Sequence, residues 1–317
     1  MASNHKLYLG MFSFQIKKRN TSNLAYITNN EFLSQAYPDL DNKFTEGFAQ
    51  DIISLFDAKT FKNKQNTHGG TLDNKAIASK QRYFDVLIDG GLTGIEQFLV
   101  DGEGNKEKIG RDKIVGLKFF ARFWLPAGSY TGYVFLQRYG GLNIRPLFEE
   151  IIKETLMKHG FSIAGAGNTM RPTTTKKRLE NFLKRSTIRD ITVYSRNSRH
   201  ETGAGDAQSV TVKLRNVKVN SKDGKIDKKV VSDAMKNHGF TLDNRHYEMS
   251  ATYVNKQGDK NEEEKTTKLD NSGETYNIIP NILLPDKCID ADGYPIFEEM
   301  KEFVDIEIEQ LNKEAKK

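Results

Sequence analysis

The chain has 317 residues, 37% of them hydrophobic and 28% charged, with a net charge of +6 and one cysteine, Cys288. That is enough apolar material for a core, and a lone cysteine excludes an internal disulfide and every cysteine-built zinc site. No apolar run approaches the roughly 18 to 20 residues that a bilayer requires, and Met1 to Gly10 lacks the basic-then-apolar pattern of a secretion signal. A cytoplasmic location without membrane insertion is therefore expected.

The first segment, Lys6 to Ile16, carries apolar and aromatic residues on both alternating faces and predicts a central buried strand. Between Asn42 and Asp57, Phe44, Phe48, Ile52, Leu55 and Phe56 recur at three-to-four residue spacing and predict an amphipathic helix. The polar stretch from Lys59 to Lys80 reads as a mobile loop. Tyr83–Ile88, Ile95–Val100, Ile114–Leu125 and Tyr130–Arg138 then predict an antiparallel meander, with turns at Asp89-Gly90-Gly91 and Asp101-Gly102-Glu103-Gly104. In the third run Val115, Leu117, Phe119, Ala121 and Phe123 share a core face. The opposite face, Lys118, Phe120, Arg122 and Trp124, fits either a single-stranded nucleic-acid platform or a surface under a covering helix with its cations reaching to the edge.

Arg145 to His159 is the clearest helix, opened by Pro146 and closed by Gly160. Further on, the pattern predicts a helix from Thr173 to Lys184, strands at Ile188–Tyr194 and Val210–Val219, and a helix from Asp227 to His238. Strands between Tyr247 and Leu284 and a closing acidic helix, Ile296–Leu311, complete the reading. The fold class is α+β in two lobes: a sheet-rich lobe over 1–145 with covering helices, and a basic lobe over 146–317 with an acidic terminal helix.

The charge is unevenly spread. Arg171 to Val230 holds 16 Lys or Arg against 6 Asp or Glu, whereas Pro285 to Lys317 holds 10 acidic residues against 5 Lys. A field of one sign concentrates partners of the other, and nucleic acid is the commonest partner of a basic region. Within it, Gly165-Ala166-Gly167-Asn168 leads through Arg171 to the capped start of a helix bearing Lys176, Lys177 and Arg178, where backbone N–H groups and cations favour an anion. The motif lacks the Gly-Lys-Ser/Thr of a P-loop and the third glycine of a dinucleotide fingerprint. The six histidines show no metal-sharing spacing, and no Gly-flanked serine elbow is present. Glu263 and Lys265 match a nuclease-like Glu-x-Lys pair but fall in a run expected to be a solvated turn. Asp85 and Asp89 suit a divalent ion, with a turn the alternative.

Gly132-Tyr133-Val134-Phe135-Leu136-Gln137-Arg138-Tyr139-Gly140-Gly141-Leu142 before a Pro-started helix, with Arg171-Pro172-Thr173-Thr174 opening another, resembles cytosolic proteins of bacterial anti-phage and prophage-exclusion loci. In layout the chain is most similar to the DNA-binding Rex exclusion protein of temperate phage. The resemblance spans about the middle third and implies a defence role through nucleic-acid binding; no functional residue is carried over from it. The expectation is a cofactor-free nucleic-acid-binding protein, with DNA the expected partner. Its phosphate contacts are expected to come from Arg171, Lys176, Lys177, Arg178, Lys184, Arg185, Arg189, Arg196 and Arg199. Two alternatives stand beside it: a metal-dependent phosphodiesterase or nuclease whose acids meet only in the fold, and a protein-interaction subunit, homo-oligomeric or in a multi-gene complex.

Overall fold

The computed structural model describes residues 6–19, 25–56, 60–142, 144–165, 167, 169–196, 209–215, 233, 236, 247–256, 262–269 and 278–315. It is a mixed α+β protein that divides into two compact units, Met1–Thr173 with Ile282–Lys317, and Thr174–Asn281. The boundary falls at Thr173/Thr174 rather than at 145/146. The acidic terminal helix belongs to the first unit, because its apolar stripe packs on that unit's sheet and not on the basic one. The expected helix over 227–238 lies almost wholly outside the described residues.

In the first unit the strands are β1 (Leu7–Lys18), β2 (Tyr26–Ile27), β3 (Phe61–Lys62), β4 (His68–Ala78), β5 (Tyr83–Leu92), β6 (Gln97–Val100), β7 (Lys106–Ile109), β8 (Val115–Trp124), β9 (Thr131–Tyr139), β10 (Phe161–Ile163) and β11 (Arg171–Thr173). Its helices are α1 (Asn29–Ala36), a π-helical turn (Lys43–Ala49) running into α2 (Gln50–Ser54), and α3 (Arg145–Lys158). The second unit holds α4 (Lys176–Arg185), β12 (Ser186–Arg196), β13 (Ser209–Arg215), β14 (Tyr247–Lys256) and β15 (Glu262–Leu269). The chain then returns to the first unit through β16 (Ile282–Leu283) and α5 (Phe297–Ala315).

β1 is central, as its two-sided apolar pattern requires. It pairs with β9 from Leu7 to Gln15, while Tyr8 and Leu9 also pair with β16 and Met11 to Ser13 with β11. Phe14 and Ile16 enter one core with α1, α2 and α3. Leu7, Leu9 and Met11 enter a second core with Phe120, Trp124, Phe135 and the α5 residues Phe297, Met300, Val304 and Ile308. The sheet is thus covered on both faces, and α5 closes the second. Phe120 and Trp124 are buried beneath it, so the nucleic-acid platform on β8 is ruled out: rings under a helix cannot stack on bases. Arg122 does not reach the edge either. It is fully buried and bonds Asp85 through Nε at 2.5 Å and Nη2 at 2.9 Å, with Asp305 of α5 on Nη1.

The stretch 60–80 is mostly strand rather than loop. β4 runs through it, paired with β5 along its length. Its polarity is that of a strand near the sheet edge, bordered on its outer side only by the two residues of β3, where charged side chains discourage further pairing. The connection before it is fixed by Asn63, whose Oδ1 accepts the Thr67 and His68 N–H groups at 2.9 and 3.0 Å. Asp89-Gly90-Gly91 likewise lies inside β5 rather than in a turn. Gly69 pairs with Gly91, Gly70 with Gly90, and Gly91 with Gly116. A Cβ on Gly91 would stand 2.1 Å from the Val115 carbonyl oxygen, so the glycines are there for close backbone approach.

Candidate nucleic-acid interface

The second unit carries 21 Lys or Arg against 15 Asp or Glu, so the whole net charge of +6 lies in it and the first unit is neutral. Its antiparallel sheet runs β13-β12-β14-β15. Alternation divides the sheet: Ile191, Val193, Met249, Ala251 and Tyr253 form a core with Phe182 of α4, while Thr192, Thr211, Lys213, Arg215 and Thr266 lie on the other face.

α4 starts at Thr175, whose Oγ1 accepts the Arg178 N–H at 3.2 Å. Leu179, Phe182 and Leu183 hold it to the sheet. Lys176, Lys177, Lys184 and Arg185 are exposed and Arg178 is half-buried. Positions 177, 184 and 185 form one stripe, since seven or eight residues make about two helical turns. The first turn holds three cations and no acid, against the positive end of the helix dipole. Such placement costs roughly 0.3 to 1 kcal/mol per charge, before solvent screening reduces it.

The other expected contacts are dispersed. The Gly165–Arg178 motif is divided between units: Gly165 and Arg171 belong to the first and Lys176 onward to the second. Gly165 and Gly167 do take the left-handed backbone that favours glycine, with φ of +99° and +75°. Arg171 is an exposed residue of β11. Arg189, in β12, is tied to Glu264 at 2.6 Å and Asp190 at 3.2 Å, and these contacts raise its pKa. Its charge is met by carboxylates. Arg196 ends β12 and its side chain is outside the described residues, as is Arg199. Lys213 and Arg215 alternate with Val212 and Leu214 on β13, a period of two legible in the sequence; Lys213 lies 3.3 Å from Asp190, and Arg215 adds an exposed cation to this face.

The acids singled out for metal chemistry are engaged elsewhere. Asp85 is held by Arg122, and Asp89 lies 3.3 Å from Lys118. Glu263 and Lys265 belong to β15, not to a turn: Glu263 accepts the Asn281 N–H at 2.6 Å and Lys265 donates to Asn281 Oδ1 at 3.0 Å. Among the described residues no three His, Cys, Asp or Glu side chains come together as a metal site, and no helix is long and apolar enough to cross a membrane. Comparison with models of protein families, with curated proteins and with solved structures gives no match to this chain.

Proposed function

We propose that the second unit binds nucleic acid, with DNA the expected partner, by laying the outward stripe of α4 along a phosphate backbone. The observation that carries this reading is the cationic face of α4 in the unit that holds all of the net charge. Among the described residues Lys184 and Arg185 form no ion pair, so binding them to phosphate breaks none. The Lys177→Ala/Lys184→Ala/Arg185→Ala variant should keep its fold, since Ala favours helix and the removed groups are exposed. In fluorescence anisotropy with a short labelled duplex, its slope of log affinity against log salt should be shallower by up to roughly 2 to 3 units. The loss should be similar across DNA sequences, because phosphate contacts do not read bases. An unchanged slope in the folded variant, or no binding by the parent, sinks this reading. Magnesium-dependent cleavage of the duplex would instead favour the phosphodiesterase.

The interaction-subunit reading is favoured by a different feature, the β6–β7 hairpin. Ile95, Phe98, Leu99 and Val100 are all about half exposed there, on a two-stranded sheet that among the described residues pairs with no other strand. A second copy of the hairpin, laid antiparallel, covers Phe98 and Val100 of each copy with those of the other, an isologous contact of the kind a two-fold dimer uses. On this reading the chain is a dimer by light scattering, and Phe98→Asp/Val100→Asp makes it a monomer with unchanged melting. A parent protein that is already monomeric refutes it.

A further inference from the structure

A cleft of about 530 Å³ opens in the first unit between α1, the start of the π-helical turn and the β4–β5 hairpin. Lys43, Lys80 and Arg82 line it against one acid, Asp41. None of the three cations is in an ion pair among the described residues. Lys43 donates instead to the carbonyls of Pro38 at 3.2 Å and Leu40 at 2.6 Å, which fixes its ammonium without neutralising it.

Arg82 is the unusual residue. Its φ of +56° is left-handed, a conformation for which a hairpin ordinarily uses Gly or Asn. The backbone is held there, with its carbonyl accepting the Leu125 N–H at 3.0 Å. Its guanidinium is oriented by Asn30 Oδ1, which also accepts the Gly128 N–H at 3.2 Å. Across the cleft, Thr45 Oγ1 and Ser79 Oγ lie 2.6 Å apart and tie the helical turn to the hairpin. A strained backbone that carries an oriented guanidinium beside two unneutralised ammoniums is an arrangement that turn formation does not require.

We propose that this cleft binds a small anion bearing phosphate. Arg82 supplies the planar fork that suits two phosphate oxygens, and Lys43 and Lys80 supply point charges. Asn42 and Ser34, also in the lining, offer polar groups to the remaining oxygens. The volume fits a small ligand, and the lining is polar apart from Leu33 and Phe44, so the charged group itself is what the cleft accommodates. The anion is either a free phosphorylated metabolite or the terminal phosphate of a nucleic acid.

Isothermal titration of the full chain with inorganic pyrophosphate tests this. Binding is expected for the parent protein, and Arg82→Asn should weaken it about tenfold or more, the loss expected for a charged hydrogen-bond donor. Asn accepts the left-handed backbone, so this variant should melt no lower than the parent, and a binding loss cannot then be assigned to unfolding. Lys80→Gln, on the exposed rim, should weaken binding without altering the hairpin. The α4 triple variant should bind pyrophosphate as the parent does, which separates this cleft from the proposed DNA contact. A 5′-phosphorylated oligonucleotide that competes with pyrophosphate, where its 5′-hydroxyl counterpart does not, identifies the terminal-phosphate source; failure of both to compete identifies the free metabolite. No heat with pyrophosphate, or equal affinity in Arg82→Asn, overturns the proposal.

Discussion

Asp85→Ala is expected to lower the melting temperature of the first unit by roughly 6 to 20 °C, which corresponds to about 3 to 5 kcal/mol for a buried charge stripped of its partner. Arg122 and Asp85 are both fully buried, and Asp305, the other acid on the guanidinium, is half exposed. Removing Asp85 leaves the buried guanidinium without its bidentate partner, with the peripheral Asp305, the Lys301 carbonyl at 3.3 Å from Nη2 and the Tyr83 ring to answer the charge. Replacing the pair together, as Asp85→Leu with Arg122→Met, should restore most of the loss, because neither ion then has to leave water. The protonation of Asp85 argues the same way. Burial raises its pKa, Arg122 opposes the rise and the nearby Asp305 adds to it, and the net direction is upward. A carboxyl raised in the folded state makes a contribution to stability that declines as pH increases through its folded pKa, whereas the raised pKa of Arg122 shows that its charge is favoured beside the two acids. Trp124, the only tryptophan, lies in the same core and reports the transition by fluorescence. Equal melting of Asp85→Ala and the double variant would show that desolvation does not govern this site.

A second large loss, roughly 2 to 3 kcal/mol at neutral pH, is expected for Asp51→Asn. Asp51 joins three helices: it accepts Tyr37 Oη at 2.8 Å and Lys158 Nζ at 2.5 Å, and lies 2.6 Å from His159 Nε2. Tyr37 is itself buried, with its ring edge-on to His159 at 4.5 Å. Burial works to raise the Asp51 pKa, but the hydrogen bonds from Lys158, His159 and Tyr37 outweigh it and hold the carboxyl below its ordinary 3.8. A carboxyl depressed in the folded state contributes stability that is present above its unfolded pKa and is lost as pH falls through the folded one. Urea titrations should therefore show the full gap between parent and variant at pH 7, narrowing below about pH 4 as the parent's carboxylate takes up a proton. A gap that stays constant with pH would assign the effect to packing alone.

Several elements were legible because their cause is local. α3 is written in Pro146, its apolar spacing and Gly160, which takes a φ of +78°. β1 shows itself central by apolar residues on both faces, and the stripe of α4 follows from helical period and the Thr175 cap. By contrast, β4 has the composition of a loop, because a strand near the sheet edge has no need of apolar residues on its open side. The glycines of β5 suggested a turn for the same reason: close approach between strands and a left-handed turn call for the same residue.

The sequence by itself determined the fold class, the main strands and helices, and the location of the positive charge. Each depends on a residue's own chemistry or on neighbours within two helical turns. Only the tertiary structure decided that α5 closes the second face of the first unit's sheet, burying Phe120 and Trp124. It likewise decided that Asp85 meets Arg122 rather than a metal, that Arg189 is met by Glu264, and that Lys43 and Arg82 converge on one cleft. These residues lie far apart along the chain. Which charges are neutralised, and which remain available to a ligand, depends on strand register and helix docking, and no local pattern encodes either.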